Sequence, residues 1–239
     1  MKIIHFHKTD VIMKKDIIQI DKTAYGQKAA NIIRQRIIEG IYSQGQRLIE
    51  ENLAEEYNIS RGCIRDAFLI LESEGMVKSE RNKYTKVLKL SQKDIIDLFR
   101  FRLALELFSV EECIEKSCVP ADKLNRCLME MDIAIDEGKI NSFKYVEQDL
   151  NFHEALIQCT QNNYVINIYR SIKYQVMTLL YFLCSMFKEE FSIQGRGQHH
   201  KIAEFLRNGD VENSQKFLRE HIDNNLEFVI SLNKKAESM

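Results

Sequence analysis

Residues that stop a helix are scarce in this chain. Pro120 is its single proline, and glycine occurs nine times in 239 positions, so helices must carry most of the fold. No segment repeats and none is of low complexity. Apolar residues make up 45% and charged residues 29%, the balance of a chain that buries a core. No apolar run reaches the roughly 18 residues that cross a bilayer. The opening MKIIHFHKTD has neither a long apolar centre nor a small-residue cleavage site. A cytoplasmic protein with no membrane contact is therefore expected. Cys63, Cys113, Cys118, Cys127, Cys159 and Cys184 form no C-x-x-C pair. In a reducing compartment they are expected to be buried, inert thiols.

The punctuation divides the chain into three parts: an arm at 1–21, a unit at 22–90 and a unit at 91–239. Residues 1–21 show no strong period. A helix over 24–40 follows, with Ala29, Ile32, Ile33, Ile37 and Ile38 as its apolar stripe and Gly40 as its stop. A short helix at Glu50–Tyr57 and a tight turn at Asn58-Ile59-Ser60 lead to a third helix, capped by Ser60 and running from Arg61 to Glu74. That helix buries Ile64, Ala67, Phe68 and Leu71 and ends at Gly75. Two strands, Met76–Glu80 and Tyr84–Leu90, are joined through Arg81-Asn82-Lys83. Helix, helix, turn, helix, hairpin is the order of a winged helix-turn-helix. After Ser91 long helices are expected near 93–117, 121–137, 141–160, 163–188, 195–208 and 210–233, broken at Pro120, Gly138 and Gly209. The fold class is therefore mainly α: an N-terminal winged helix-turn-helix followed by an all-α antiparallel bundle.

Charge follows the same division. Residues 22–90 hold 12 Lys and Arg against 9 Asp and Glu, a net of +3, whereas residues 91–239 hold 18 against 23, a net of −5. A basic head on an acidic body suits nucleic-acid binding by the head. On the third helix Arg61 and Arg65 are one turn apart, on a face away from Ile64, Phe68 and Leu71. Arginines at the N-terminal end of a recognition helix suit bidentate contacts to guanine or phosphate. Ser60 and Arg47 are further candidate DNA contacts, and Arg81, Lys83 and Lys86 on the hairpin would follow the backbone or minor groove.

In the bundle, polar residues on apolar faces are the informative ones, because burying one unpaired costs about 1–3 kcal/mol. Asp149 and His153 share a face with Phe152 and Leu156. His199 falls on the stripe of Ile202 and Leu206, while His200 falls with Glu204 and Arg207 and should face water. His221 lies beside Phe217 and Leu218. One carboxylate and three imidazoles from three helices suit Zn²⁺, with Ni²⁺ and Mn²⁺ also compatible. Separate, individually satisfied core histidines are the alternative. Arg102, within the apolar run from Ile95 to Leu107, must find an anion. Glu106, one turn on, is the plain partner; a ligand carboxylate, which an arginine fork matches bidentately, is the other.

The segment QRLIEENLAEEYNISRGCIRDAFLILESEGMV resembles the DNA-binding signature of the GntR family of bacterial regulators. Its elements are Arg47-Leu48, Leu53-Ala54-Glu55, Ser60-Arg61, Ile64-Arg65-Asp66-Ala67-Phe68, and Leu71 to Val77. Gln44-Gly45 replaces the usual Pro-Gly, and Arg81-Asn82-Lys83 replaces a Gly-Arg-Gly wing tip. Further on, DLNFH at 149–153, then His199 with Ile202, Leu206 and Gly209-Asp210, then His221, are similar to the FCD effector domain. The resemblance implies that Asp149, His153, His199 and His221 hold a metal, and that Arg102 and Glu106 border an effector cavity. Gln198 stands where an acidic residue is usual, and six helices resemble the VanR-type branch. The expected protein is a homodimeric regulator that binds double-stranded operator DNA and senses a small organic or sugar acid. A regulator whose effector is the metal itself, and a metal-dependent hydrolase, are the alternatives.

Overall fold

The computed structural model describes residues 25–80, 84–137, 143–186 and 188–237. The arm at 1–21, the hairpin tip with Arg81, Asn82 and Lys83, and Gly138 lie outside the described residues. Two compact units emerge, 25–37 with 42–88 and 38–41 with 89–237.

In the first unit, α1 (25–38) buries Ala29, Ala30, Ile33, Ile37 and Ile38. Ile32, expected in that stripe, is 43% exposed, because the buried face centres on the row Ala30, Ile33 and Ile37. Arg34 is buried instead, donating from Nε and Nη2 to the two Glu74 oxygens at 2.7 and 2.6 Å. This fork fastens α1 to the end of α3. Helix α2 (Glu50–Glu56) turns through Asn58, at φ 52°, into α3 (Arg61–Ser73). The Ser60 hydroxyl caps α3 by accepting from the Cys63 amide at 3.2 Å. Gly75 closes it at φ 66°, with Met76 N–H bonded to Leu71 C=O, a backbone shape that disfavours a side chain.

The hairpin strands are shorter than expected: β2 is Val77–Glu80 and β3 is Tyr84–Val87. A third strand, β1 (Arg47–Leu48), pairs with the other side of β3, giving the antiparallel order β1-β3-β2. Two residues carry no periodic signal, so β1 is a product of tertiary pairing alone.

The second unit is six described helices: α4 (Gln92–Glu115), α5 (Ala121–Asp136), α6 (Phe143–Cys159), α7 (Asn163–Met186), α8 (Lys188–Arg207) and α9 (Val211–Glu237). Ser91 and Asp94 form a reciprocal capping box at the start of α4, and Pro120 occupies the N-cap of α5. Helix α8 begins one residue after Phe187 rather than at 195, an extension beyond the expected start. Helices α4, α6, α8 and α9 contribute buried polar side chains to the interior: Arg102, Glu106, Asp149, His153, His199, His221 and Asn225. No helix among the described residues is long and apolar enough to cross a membrane.

Candidate functional site

Two sites stand out, one in each unit. In the first, α3 turns Arg61 and Arg65 outward, with side chains 58% and 66% exposed. Neither guanidinium is idle. Arg61 pairs with Glu51, and Arg65 donates from Nε to Glu50 at 2.8 Å. These partners stand in the first turn of α2, where the helix dipole favours acids, so α2 holds both exposed arginines of α3. Ser60, engaged as the cap, sits at the same end of α3.

The sheet adds a feature that strand-by-strand reading overlooks. Lys86 on β3 lies opposite Arg47 on β1 and Lys78 on β2. Residues directly opposite share a face, so three cations form a row across the sheet, although like charges at such positions repel. Glu80 relieves part of that repulsion by pairing with Lys86 at 2.7 Å. Arg47 stacks over the Tyr84 ring, 4.0 Å from its centroid. Lys78 joins the row only through strand pairing, which aligns it with the others. Arg81 and Lys83 lie outside the described residues.

In the second unit, donor atoms of Asp149, His153, His199 and His221 all lie within 4.8 Å of one another, and all four residues are buried. The outer nitrogen of each imidazole has an acceptor. His153 Nδ1 meets Glu106 Oε2 at 2.6 Å, His199 Nδ1 meets the Gly195 carbonyl at 2.8 Å, and His221 Nδ1 meets Gln198 Oε1 at 3.1 Å. Such partners fix the tautomer in which Nε2 faces inward with a lone pair. Two of those Nε2 atoms, from His153 and His199, approach to 3.2 Å, with Asp149 Oδ2 3.3 Å from His199 Nε2. Asp149 Oδ1 has no hydrogen-bond partner. Burial holds the His199 imidazole down at about 4, despite the opposing pull of Asp149, and holds His221 well below the ordinary histidine value. Three inward lone pairs and an orphaned carboxylate oxygen fit a divalent cation. His200 sits outside the cluster, at the surface against Asp132 at 3.1 Å.

Glu106 links this cluster to Arg102. Arg102 donates from Nε to Glu106 Oε1 at 2.7 Å, and both side chains are fully buried. Burial alone would raise the Glu106 carboxyl, but Arg102 and then His153 outweigh it and hold it well below the usual range. Both readings of Arg102 thus have a physical basis. Its Nε belongs to Glu106, while Nη1 and Nη2 are buried with no hydrogen-bond partner. The Tyr169 hydroxyl is another buried group with none, and its charge interactions with Glu106 and Arg102 place it in the same neighbourhood.

The comparisons with known proteins follow the same division. The family model described as "Bacterial regulatory proteins, gntR family" matches residues 26–87, and the FCD domain model matches residues 97–224. The chain belongs to the gntR family, with an FCD domain. Among its relatives, the gluconate operon transcriptional repressor of Bacillus subtilis (strain 168) is 31% identical over 155 residues. That match spans 64% of this chain and 63% of the repressor, less than two thirds of either. Two solved structures share the fold. A transcriptional regulator GntR from Rhodococcus sp. RHA1 is 21% identical with a TM-score of 0.71, and E. coli McbR/YncC is 19% identical with a TM-score of 0.73. Each match covers 87% of this chain and 98% of the other.

Among these proteins, the Bacillus subtilis repressor and the Rhodococcus protein are named as transcriptional regulators, not hydrolases. In this gntR-family FCD domain the departure at Gln198 is conservative in effect, since its amide oxygen accepts from His221 as a carboxylate would. Asn225, buried one turn beyond His221, donates to the His221 Nε2 lone pair at 3.3 Å, a bond that an ion at the centre would replace. Asn225 was legible in principle from its spacing. Tyr169, within the apolar face of α7, carried no signal in the sequence.

Proposed function

We propose that this gntR-family protein is a homodimeric transcription regulator whose head binds operator DNA and whose FCD domain binds a small organic or sugar acid. The observation that carries the effector reading is the pair of unpartnered Arg102 nitrogens beside the Asp/His cluster. A buried guanidinium keeps its charge only with an anion, and Glu106 takes one of its edges. Two adjacent N–H groups with no acceptor match the two oxygens of a carboxylate.

The charge count supports the same chemistry. Arg102, Glu106 and Asp149 sum to −1, and the imidazoles are neutral as ligands. A divalent ion held by Asp149, His153, His199 and His221 brings the site to +1, which one carboxylate neutralises. Such an ion, Zn²⁺ by donor set with Ni²⁺ or Mn²⁺ compatible, supplies a Lewis-acid centre for effector oxygens. Glu106 orients His153 and Arg102 together, and Tyr169 offers a hydroxyl to a further polar group. A protein that sensed only the metal would have no use for the open edge of Arg102. The name of the Bacillus subtilis relative, a gluconate operon repressor, favours a sugar acid among the carboxylates.

In the head, Arg61 and Arg65 contact base edges or phosphates. The row Arg47, Lys86 and Lys78, with Arg81 and Lys83, follows the DNA backbone. The test is a thermal-shift screen of organic and sugar acids on metal-loaded protein, followed by calorimetry of the hit on two variants. A bound acid should raise the melting temperature by mass action. Arg102→Lys should weaken its affinity by at least about tenfold at unchanged metal content, since the charge stays and the fork is lost. Unaltered affinity in Arg102→Lys and Arg102→Ala removes Arg102 from the effector site.

A further inference from the structure

Four of the six cysteines are buried as expected, whereas Cys118 and Cys159 are not fully so. Cys113 is buried on α4, Cys118 follows α4, and Cys159 is the last residue of α6, yet their sulfurs all lie within 4.8 Å of one another. Cys118 and Cys159 are only half-buried. The convergence has a local cause. Helix α4 ends in a left-handed residue, Ser117 at φ 50°, with Ser117 N–H bonded to Ile114 C=O and Cys118 N–H to Cys113 C=O. This closure folds the chain back so that Cys118 and Cys113 meet. Helix α6 ends at the same place, and the thiols bond to carbonyls there: Cys118 Sγ to Cys159 O at 3.3 Å, Cys159 Sγ to Cys118 O at 2.6 Å, and Cys113 Sγ to Leu156 O at 3.4 Å.

We propose that Cys113, Cys118 and Cys159 form a second metal site, which takes a thiophilic d¹⁰ cation such as Cu⁺ or Zn²⁺ in three-sulfur coordination. An ion about 2.3 Å from each of three sulfurs sets them roughly 4 Å apart, so the observed cluster needs only small adjustments. Thiolates select soft cations, whereas the Asp/His₃ centre offers oxygen and nitrogen donors to harder ones. On binding, each S–H bond gives way to an S–metal bond and its proton passes to water, with no change of oxidation state. Three thiolates leave the complex anionic, and two cations flank it. Lys116, paired with Glu112, reaches the Thr160 carbonyl at 3.5 Å, and Lys123 reaches Gln158 Oε1 at 2.8 Å. The half-exposed Cys118 and Cys159 give the ion a path inward. Because α4 carries Arg102 and Glu106, and α6 carries Asp149 and His153, an ion at the cysteines would tie together the far ends of the two helices that build the effector site.

The test uses the reduced, metal-free, full-length protein under nitrogen, titrated with Cd²⁺ as a spectroscopic probe. Thiolate-to-Cd²⁺ charge transfer in the ultraviolet reports sulfur ligation alone, since Asp and His ligands give no such band. A band that saturates with three thiolates engaged per chain is the expected result. It should persist in His199→Ala, which disables the other centre, and be lost in Cys118→Ser with Cys159→Ser. Serine is nearly isosteric at those half-exposed positions, and circular dichroism verifies the fold. A parallel titration with Cu⁺ against a colorimetric chelator should show one additional equivalent bound in the parent over the double Ser variant. The proposal is overturned if the parent shows no charge-transfer band, if the band survives in the double Ser variant, or if it vanishes with His199.

Discussion

At the scale of single residues, the cations proposed to face DNA are restrained before it arrives. Arg61 and Arg65 must leave Glu51 and Glu50 to reach a base or phosphate. Exposed pairs of this kind contribute about 0–1 kcal/mol each, less than the roughly 1–3 kcal/mol of a bidentate base contact, so DNA wins the exchange. Arg61→Ala and Arg65→Ala should therefore each weaken operator binding by about 1–3 kcal/mol without loss of fold. Glu50→Gln with Glu51→Gln releases both pairs and should strengthen it by up to about thirtyfold. Fluorescence anisotropy with operator DNA measures both, and equal binding by parent and double Arg variant refutes the recognition-helix assignment. Lys78→Ala should act differently, lowering affinity evenly across sequences and reducing the salt slope by about one. The same resolution separates two neighbouring histidines. His199→Ala should lose the bound ion and lower the melting temperature, whereas His200→Ala, at the surface on Asp132, should do neither. Metal analysis of the two variants decides it.

At the scale of elements, α4 is the helix on which the FCD domain depends most. Its first turn is pinned by the Ser91–Asp94 capping box, its middle holds Arg102 and Glu106, and its end brings Cys113 to Cys159. Helix α9 packs against it, and α8 and α9 carry imidazoles whose burial resists protonation. The consequence for pH has a definite sign. A histidine held below its unfolded value binds protons preferentially in the unfolded chain, so stability falls as pH drops through that interval. For His199 the interval runs from about 6.5 down to about 4, and His221 is displaced in the same direction. Each imidazole contributes a slope of at most about 1.4 kcal/mol per pH unit. Glu106 works in a lower interval, since its depressed carboxyl stabilises the fold above the ordinary glutamate value and loses that effect only in stronger acid. Urea denaturation of metal-free protein should therefore show a clear fall in midpoint between pH 7 and pH 5. A flat profile would mean that the imidazoles are charged inside the folded protein.

At the scale of the whole molecule, a winged-helix head reads few base pairs, so operator specificity calls for two heads related by a two-fold axis. The FCD domain has apolar surface that could meet a second copy. Phe101 and Phe108 on α4 are 44% and 39% exposed and lie two turns apart on one face. Replacing both with Glu should convert a dimer to a monomer in sedimentation and abolish tight operator binding. A dimer that persists places the contact elsewhere. Coupling between effector and DNA is reciprocal, so Arg102→Lys should leave DNA affinity unchanged without effector and respond only at higher effector concentrations.

Local chemistry carried much of this protein on its own. A cap at Ser60, stops at Gly40, Gly75 and Gly209, and apolar spacing determined the order of helices in both units. The same spacing placed Asp149, His153, His199 and His221 on inward faces and His200 outside, because a helical period tells inside from outside within one element. What it cannot report is distance between elements. Strand β1, the row of Arg47, Lys86 and Lys78, and the grip of Glu50 and Glu51 on the recognition arginines all arise from pairings between segments remote in sequence. Ile32 left its expected stripe because the neighbouring helices, rather than α1 alone, decide which row is covered. The open edge of Arg102, the turn of each imidazole toward a common centre and the meeting of three cysteines exist only once α4, α6, α8 and α9 have packed, since hydrogen-bond partners and ligand geometry are properties of space and not of spacing.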